Sequence, residues 1–175
     1  MKNVPNILTI IRMILLPVFV LVFFSDMENS RYWALGVYAL ASFTDLIDGQ
    51  IARKFNVVTE LGKVLDPLAD KLMLMTVLIC FYLAGFIPPL ILGVVIVKEL
   101  FMIGSAMILY NREDRIVIPA NYFGKSATVL FTLSIILMFF MPGNPWVLYL
   151  MYFSIAVKIS ALISYFFTYK KLKGQ

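Results

Sequence analysis

Residues 44–70 read TDLIDGQIARKFNVVTELGKVLDPLAD, and they place four aspartates between two apolar stretches, residues 32–43 and 72–84. Neither stretch alone reaches the roughly 20 residues that a membrane-spanning helix needs. Each reaches that length only by including one aspartate pair, Asp45 and Asp48 in the first and Asp66 and Asp70 in the second. Because the members of each pair are three or four residues apart, each pair shares one helix face. The sequence therefore predicts that four carboxylates meet near one membrane surface.

The rest of the chain is similarly apolar. Its 175 residues are 62% hydrophobic and 14% charged, and the mean hydropathy is +0.92. Soluble domains carry roughly 25% charged residues, so a water-soluble globule could not bury this much apolar surface. The chain has no histidine and one cysteine, Cys80, which excludes a zinc site and a disulfide framework. The composition predicts a polytopic membrane protein with no nucleic-acid partner.

We predict one all-α domain, residues 1–175, with six transmembrane helices. Their predicted ranges are 7–24, 32–51, 65–84, 87–110, 119–141 and 146–169. The first could be a signal peptide, but Arg12 interrupts it and no small-residue cleavage pattern follows. Lysine and arginine cluster after the last span and in the loops after spans two and four, and Lys2 precedes the first span. The other loops are almost free of them. Basic loops stay in the cytoplasm, so both termini are predicted to be cytoplasmic.

The aspartates predict a polar, metal-binding cavity that opens to the cytoplasmic side. A charged residue deep in a membrane helix costs about 2.5–3.5 kcal/mol, so four facing lipid would cost on the order of 10 kcal/mol. Neighbouring carboxylates also repel unless a cation lies between them. Hard divalent ions prefer carboxylate oxygens, which favours Mg²⁺, with Mn²⁺ as a second possibility. The alternative reading, solvated helix ends, is less favoured because two pairs are present.

Three residues between the aspartates fit a phosphate ligand. Gly49 and Ala52 remove bulk beside the acids and permit close approach, although plain helix packing would select the same residues. The planar guanidinium group of Arg53 can form two hydrogen bonds to a phosphate. Arginine is also common at the cytoplasmic end of a membrane helix without any ligand.

The whole pattern, D-x-x-D-G-x-x-A-R-x8-G-x3-D-x3-D, resembles the signature of the CDP-alcohol phosphatidyltransferase family. Its fixed positions are filled by Asp45, Asp48, Gly49, Ala52, Arg53, Gly62, Asp66 and Asp70. Segments 5–17 and 65–71 are similar to those of the bacterial phosphatidylglycerophosphate synthases in this family, and Gly124, Lys125 and Thr128 match a further family segment. The resemblance thus covers nearly the whole chain.

The resemblance implies transfer of a phosphatidyl group from CDP-diacylglycerol to the hydroxyl of glycerol 3-phosphate, with release of CMP. It also implies a homodimer in the bacterial cytoplasmic membrane, with two divalent ions held by Asp45, Asp48, Asp66 and Asp70. Asp70 would in addition take the proton of the attacking hydroxyl. The expected contacts to CDP-diacylglycerol come from Asn6, Thr9, Arg12, Gly49, Ala52, Arg53 and Gly62.

An acceptor with a phosphate would need cationic side chains. The candidates are Lys98, Lys125, Arg112 and Arg115, of which we prefer Lys98 and Lys125. Family members often carry Arg-Glu where this chain has Lys98 and Glu99. The lysine ammonium group is a compact charge and lacks the two-point hydrogen bonding of an arginine guanidinium group. Lys98 could instead form an internal ion pair with a carboxylate. Lys158 could snorkel or pair with Glu99, and the roles of these last two residues stay open.

Two other functions compete with this interpretation. Within the family, a cardiolipin synthase would use phosphatidylglycerol as its acceptor. Outside the enzymes, an acid-lined cation transporter also clusters aspartates in a membrane. Such transporters are often built from inverted repeats, and the sequence contains no convincing internal repeat.

Overall fold

The computed structural model describes residues 4–55, 60–110 and 122–173, with side chains described for residues 9–44, 68–102, 104, 124 and 126–163. Within these ranges the chain forms six α-helices and no strand. They are α1 (Val4–Phe23), α2 (Ser30–Phe55), α3 (Glu60–Leu83), α4 (Pro89–Tyr110), α5 (Tyr122–Phe140) and α6 (Pro145–Lys173). The predicted all-α class and the number of helices are confirmed.

The helix boundaries differ most around the aspartates and at the end of α6, which reaches residue 173 rather than 169. α2 continues to residue 55 rather than ending at 51, and α3 begins at residue 60 rather than 65. The sequence prediction stopped both helices where the chain becomes polar, but polar residues with good helix propensity extend a helix beyond its apolar part. The predicted start of the fifth span, residue 119, lies outside the described residues.

Three short connections each contain one residue in the left-handed region of backbone space. The residues are Asn29 between α1 and α2 (φ 61°), Gly85 between α3 and α4 (φ 74°) and Gly143 between α5 and α6 (φ 67°). Glycine and asparagine adopt this conformation at low cost. Asn144 then accepts a hydrogen bond at its Oδ1 from the backbone N–H of Trp146 (2.9 Å), which caps the start of α6.

The chain divides into two compact units, Met1–Ala84 and Gly85–Gln175. In the first unit, α1 packs against both α2 and α3. Phe19 and Phe23 of α1 stack with ring centroids 5.8 Å apart, and Phe23 lies 6.0 Å from Phe81 of α3. Ala34 and Ala41 of α2 are fully buried, and such small side chains permit close approach between helices. A core of aromatic rings and small residues therefore holds α1–α3 together.

In the second unit, α6 packs along α5 and also contacts α4. Its core is formed by apolar residues at helical spacing, among them Ile91, Phe131, Ile135 and Met151. The buried Ser134 donates a hydrogen bond to the carbonyl oxygen of Phe131 in its own helix at 2.7 Å. A hydroxyl satisfied within its own helix can be buried at low cost.

Several of the described helices contain long apolar segments, and many of their large apolar side chains are exposed. Pro145–Ile163 is long and apolar enough to cross a membrane on its own, with a mean hydropathy of 1.8, whereas Thr9–Phe23 and Ser126–Phe140 are apolar but shorter. Only 28% of the longest segment is buried within the protein. Large side chains such as Leu21, Val97 and Val129 are also mostly exposed. Exposed apolar side chains of this size are typical of surfaces that contact lipid or another protein.

Candidate active site

The two aspartate pairs belong to consecutive helices of the first unit. α2 carries Asp45 and Asp48, and α3 carries Asp66 and Asp70. The two helices contact each other, and both contact α1. At 1.5 Å per residue, Asp48 and Asp66 lie about 10 Å along their helices from the ends that residues 56–59 connect. Asp45 and Asp70 lie about 15 Å from the same ends, so all four positions lie within about three turns of the ends that residues 56–59 connect.

Burial along α2 indicates which helix face the first pair continues. Ala34, Tyr38 and Ala41 are buried and follow one another at spacings of four and three residues, which defines one face of a helix. The same spacing, continued through the unbroken helix, leads to Asp45 and Asp48. The backbone register therefore places these two positions in line with the packed face of α2. Their side chains lie outside the described residues.

Asp70 is the one aspartate of the four whose side chain is described. It is exposed on α3, ten residues after the helix begins at Glu60 and directly after the fully buried Ala69. Its carboxylate interacts electrostatically with the phenol of Tyr38, a buried residue of α2. The backbone carbonyl oxygen of Tyr38 also accepts a hydrogen bond from the Ser42 hydroxyl on the same helix, at 2.9 Å. Asp70 can thus reach solvent or substrate while its helix is fixed by packing.

Two residues that the resemblance assigns to CDP-diacylglycerol lie on the packed face of α1. Thr9 and Arg12 are each 1% exposed. They are three residues apart, and the same face continues to Phe19 and Phe23. Burying a guanidinium is costly unless negative groups compensate it. A fixed positive charge inside the three-helix unit that carries four aspartates is therefore an electrostatic complement to them.

Most of the other predicted site residues have side chains outside the described part of the chain. Arg112 and Arg115 lie outside the described residues. So do the side chains of Asn6, Asp45, Asp48, Ala52, Arg53, Asp66 and Lys125, and the surroundings of Gly49 and Gly62. Among the side chains that are described, no three potential metal ligands come together. The predicted metal site and most of the predicted substrate contacts therefore stay predictions.

The available donors nevertheless fit a hard cation. The chain contains no histidine. Its one cysteine, Cys80, lies ten residues after Asp70 on α3, or about 15 Å along the helix. The aspartate positions thus offer oxygen ligands alone, the donor set that Mg²⁺ and Mn²⁺ accept and that zinc seldom uses.

Of the predicted acceptor-binding cations, Lys98 is the one whose side chain is described. Its Nζ donates to Oε1 of Glu99 at 2.5 Å. The two side chains are 16% and 7% exposed, so the pair is largely shielded from water. This is the internal ion pair that the sequence analysis gave as the alternative role of Lys98.

Lys158 completes a charged cluster in the second unit. Its Nζ lies 4.2 Å from the centre of the Phe131 ring, a cation–π contact. Lys98, Glu99 and Lys158 line a common cavity of about 10 Å³, whose other walls are Val94, Val95, Phe131, Ile155 and Ile159. This is about the room that one water molecule needs. The three charged groups therefore share one small, mostly apolar enclosure.

Sequence reasoning did not identify Tyr38 or Phe131 as neighbours of these groups. Tyr38 precedes Asp45 by seven residues, which is two helical turns on one face. That spacing was a usable signal for a polar aromatic residue near the aspartates. Phe131 and Lys158 lie on different helices, and nothing in either local sequence pairs them.

Comparison with known proteins identifies the family. A family model described as CDP-alcohol phosphatidyltransferase matches residues 2–164. A Rickettsia typhi protein named CDP-diacylglycerol–glycerol-3-phosphate 3-phosphatidyltransferase is 35% identical over 140 residues, which cover 79% of this chain and 78% of the relative. A Bacillus subtilis protein of the same name is 33% identical over 141 residues, covering 73% and 72%.

A further relative carries a different name. A Mycobacterium tuberculosis protein named putative cardiolipin synthase is 35% identical over 126 residues, which cover 72% of this chain and 59% of the relative. The match over residues 2–164 includes the helices that carry the aspartates as well as the cluster of the second unit. The chain therefore belongs to the CDP-alcohol phosphatidyltransferase family.

Proposed function

We propose that the protein transfers the phosphatidyl group of CDP-diacylglycerol to the hydroxyl of glycerol 3-phosphate, forming phosphatidylglycerophosphate and CMP. The observation that carries the proposal is the complete aspartate signature on two consecutive, packed helices, α2 and α3. The names of the Rickettsia and Bacillus relatives support glycerol 3-phosphate as the acceptor. Membership of a transferase family favours this enzyme over a cation transporter.

The four aspartates would hold two divalent cations, Mg²⁺ or Mn²⁺. Asp45, Asp48 and Asp66 would act as the main ligands, with Asp70 contributing to the site. Bound there, the ions would neutralise the diphosphate and stabilise the negative charge on the departing CMP. The oxygen-only donor set supports this choice of metal.

Asp70 would accept the proton of the acceptor hydroxyl. Its exposed carboxylate on α3 can meet a substrate, and the packing of Ala69 fixes the helix backbone beside it. An aspartate normally titrates near 3.9, so it is a weak base that depends on close positioning. Tyr38 would help to orient the carboxylate from α2.

The donor substrate would be bound by residues of α1–α3. Arg53 would contact phosphate, while Gly49, Ala52 and Gly62 would allow the nucleotide to approach the helix backbones. Asn6, Thr9 and Arg12 would complete this contact from α1. The burial of Thr9 and Arg12 on the packed face of α1 supports roles inside the first unit rather than at a lipid surface.

The acceptor phosphate would be bound by cationic residues of the second half of the chain. Lys98 and Lys125 are the preferred residues, with Arg112 and Arg115 as further candidates. A second possible acceptor is phosphatidylglycerol, which the name of the mycobacterial relative favours. Both acceptors carry phosphate, so their difference lies in size and in the presence of acyl chains.

The protein would be a multi-pass protein of the bacterial cytoplasmic membrane. All six helices would span the bilayer, with both termini and the aspartates on the cytoplasmic side, as the distribution of lysine and arginine predicts. The exposed apolar side chains on α1, α4 and α5 support contact with lipid. The expected assembly is a homodimer.

A reconstitution assay tests the proposed reaction. Purified protein is supplied with CDP-diacylglycerol and Mg²⁺, and CMP release is compared for glycerol 3-phosphate, phosphatidylglycerol, serine and inositol phosphate. Glycerol 3-phosphate should give the fastest release, and Asp45→Asn should abolish it. Asp26→Asn is the matched control because Asp26 is exposed in the connection between α1 and α2. Absence of CMP release with every acceptor would refute the proposal.

A further inference from the structure

The cluster in the second unit carries an excess of positive charge. Lys98 and Glu99 come from α4 and Lys158 comes from α6, so two ammonium groups and one carboxylate give a net charge of +1. Lys98 and Glu99 form an ion pair at 2.5 Å. The ammonium group of Lys158 lies over the Phe131 ring, on the wall of the same cavity. The carboxylate thus has a second cation within the same enclosure.

The cavity in its present form is too small for a phosphate group. Its volume of about 10 Å³ suits one water molecule, whereas a phosphate has four oxygens around its phosphorus. Lys98 offers its full positive charge to a phosphate outside this cavity only if its ammonium group moves away from Glu99. That movement would leave a buried carboxylate without its close counterion, which is strongly unfavourable.

We propose that Lys158 is a positioning residue that replaces Lys98 as the counterion of Glu99, and that it thereby frees Lys98 to bind the phosphate of a small phosphate monoester. This inference rests on the proposed function, since it assigns Lys98 to the acceptor phosphate. Lys158 itself touches neither substrate. The Phe131 ring holds its ammonium group near Glu99 while Lys98 still occupies the carboxylate.

The net charge of Lys98, Glu99 and Lys158 determines whether Lys98 is available for phosphate, and substitutions can change that charge stepwise. Lys158→Met keeps a long side chain but lowers the net charge of the cluster from +1 to zero, so Glu99 retains Lys98. Adding Glu99→Gln to that variant removes the carboxylate and returns the net charge to +1. Lys98 is then free again, although neither original partner remains. A loss that a second substitution repairs is not expected from a purely structural role.

The experiment measures binding of glycerol 3-phosphate by equilibrium dialysis and its KM from CMP release. Lys158→Met should raise both values by about tenfold or more, because the attraction between a phosphate and a shielded ammonium group is lost. The KM for CDP-diacylglycerol and kcat should change by no more than about twofold, because only acceptor binding is affected. Lys158→Arg, which keeps the charge, and Glu99→Gln with Lys158→Met should both bind glycerol 3-phosphate with nearly wild-type affinity.

The control is Val157→Met, a substitution at the half-buried position just before Lys158 that leaves all charges in place. Thermal unfolding of every variant shows whether it is folded, and the double variant should fold well because it buries fewer charges. Unchanged affinity in Lys158→Met, or failure of Glu99→Gln to restore it, would overturn the inference. A wild-type protein that transfers nothing to glycerol 3-phosphate would instead overturn the proposed function.

Discussion

Replacing Asp70 with asparagine should separate catalysis from stability. The substitution keeps the shape of the side chain and removes its ability to accept a proton. Because the Asp70 side chain is exposed on α3, the free energy of unfolding should change by less than about 0.5 kcal/mol. The helix beneath it is held by the buried Ala69 and Met73, which the substitution does not touch.

The expected loss of activity is much larger than the loss of stability. A positioned general base contributes about 10²–10⁴-fold to a reaction rate. At 1.36 kcal/mol for each factor of ten, this equals about 2.7–5.4 kcal/mol of transition-state stabilisation. The variant should therefore lose at least about 99% of kcat while its affinity for CDP-diacylglycerol is largely kept.

The assay compares kcat, binding of CDP-diacylglycerol and the unfolding temperature at saturating Mg²⁺. Asp26→Asn again serves as the control for removing an exposed carboxylate. An Asp70→Asn variant with kcat within about tenfold of wild type would refute the role of Asp70 as the base. A large fall in the unfolding temperature would refute the inference that its side chain adds little to stability.

Three further outcomes are expected. Chelation with EDTA should abolish CMP release, and Mg²⁺ or Mn²⁺ should restore it; full activity in EDTA would exclude a metal-dependent reaction. Tyr38→Phe removes the hydroxyl beside Asp70 but keeps the buried ring, so kcat should fall by about two- to tenfold with little loss of stability; an unchanged kcat would remove Tyr38 from the site. Phe81→Ala opens a cavity in the buried core of the first unit and should lower the free energy of unfolding by about 3 kcal/mol, whereas the exposed Leu83→Ala should have little effect; similar losses in both would contradict the packing of α3.

The helices were predictable because apolar length and charge placement are local properties of the sequence. The ends of α2 and α3 were placed less well, since a helix continues into polar sequence once its apolar part is packed. The left-handed residues Asn29, Gly85 and Gly143 lie between the predicted spans, where glycine and asparagine indicate turns.

The site was predictable where its residues follow one another along the chain. The residues and spacing of the aspartate signature resemble those of the family, and the comparisons confirm that resemblance. The cluster of the second unit was only partly predictable, because it depends on how α4, α5 and α6 pack. The pairing of Lys98 with Glu99 was one of two expected roles, whereas the contact of Lys158 with Phe131 joins residues 27 positions apart.

The central claim is that four aspartates of α2 and α3 hold the divalent ions that bind the diphosphate of CDP-diacylglycerol. The most direct test is an experimental structure determined with Mn²⁺ and CDP-diacylglycerol, in which anomalous scattering locates the metal. The claim predicts manganese within about 2.4 Å of carboxylate oxygens of Asp45, Asp48 and Asp66, with the diphosphate bound to the same ions. Manganese bound elsewhere, or a diphosphate held without any ion beside these aspartates, would contradict it.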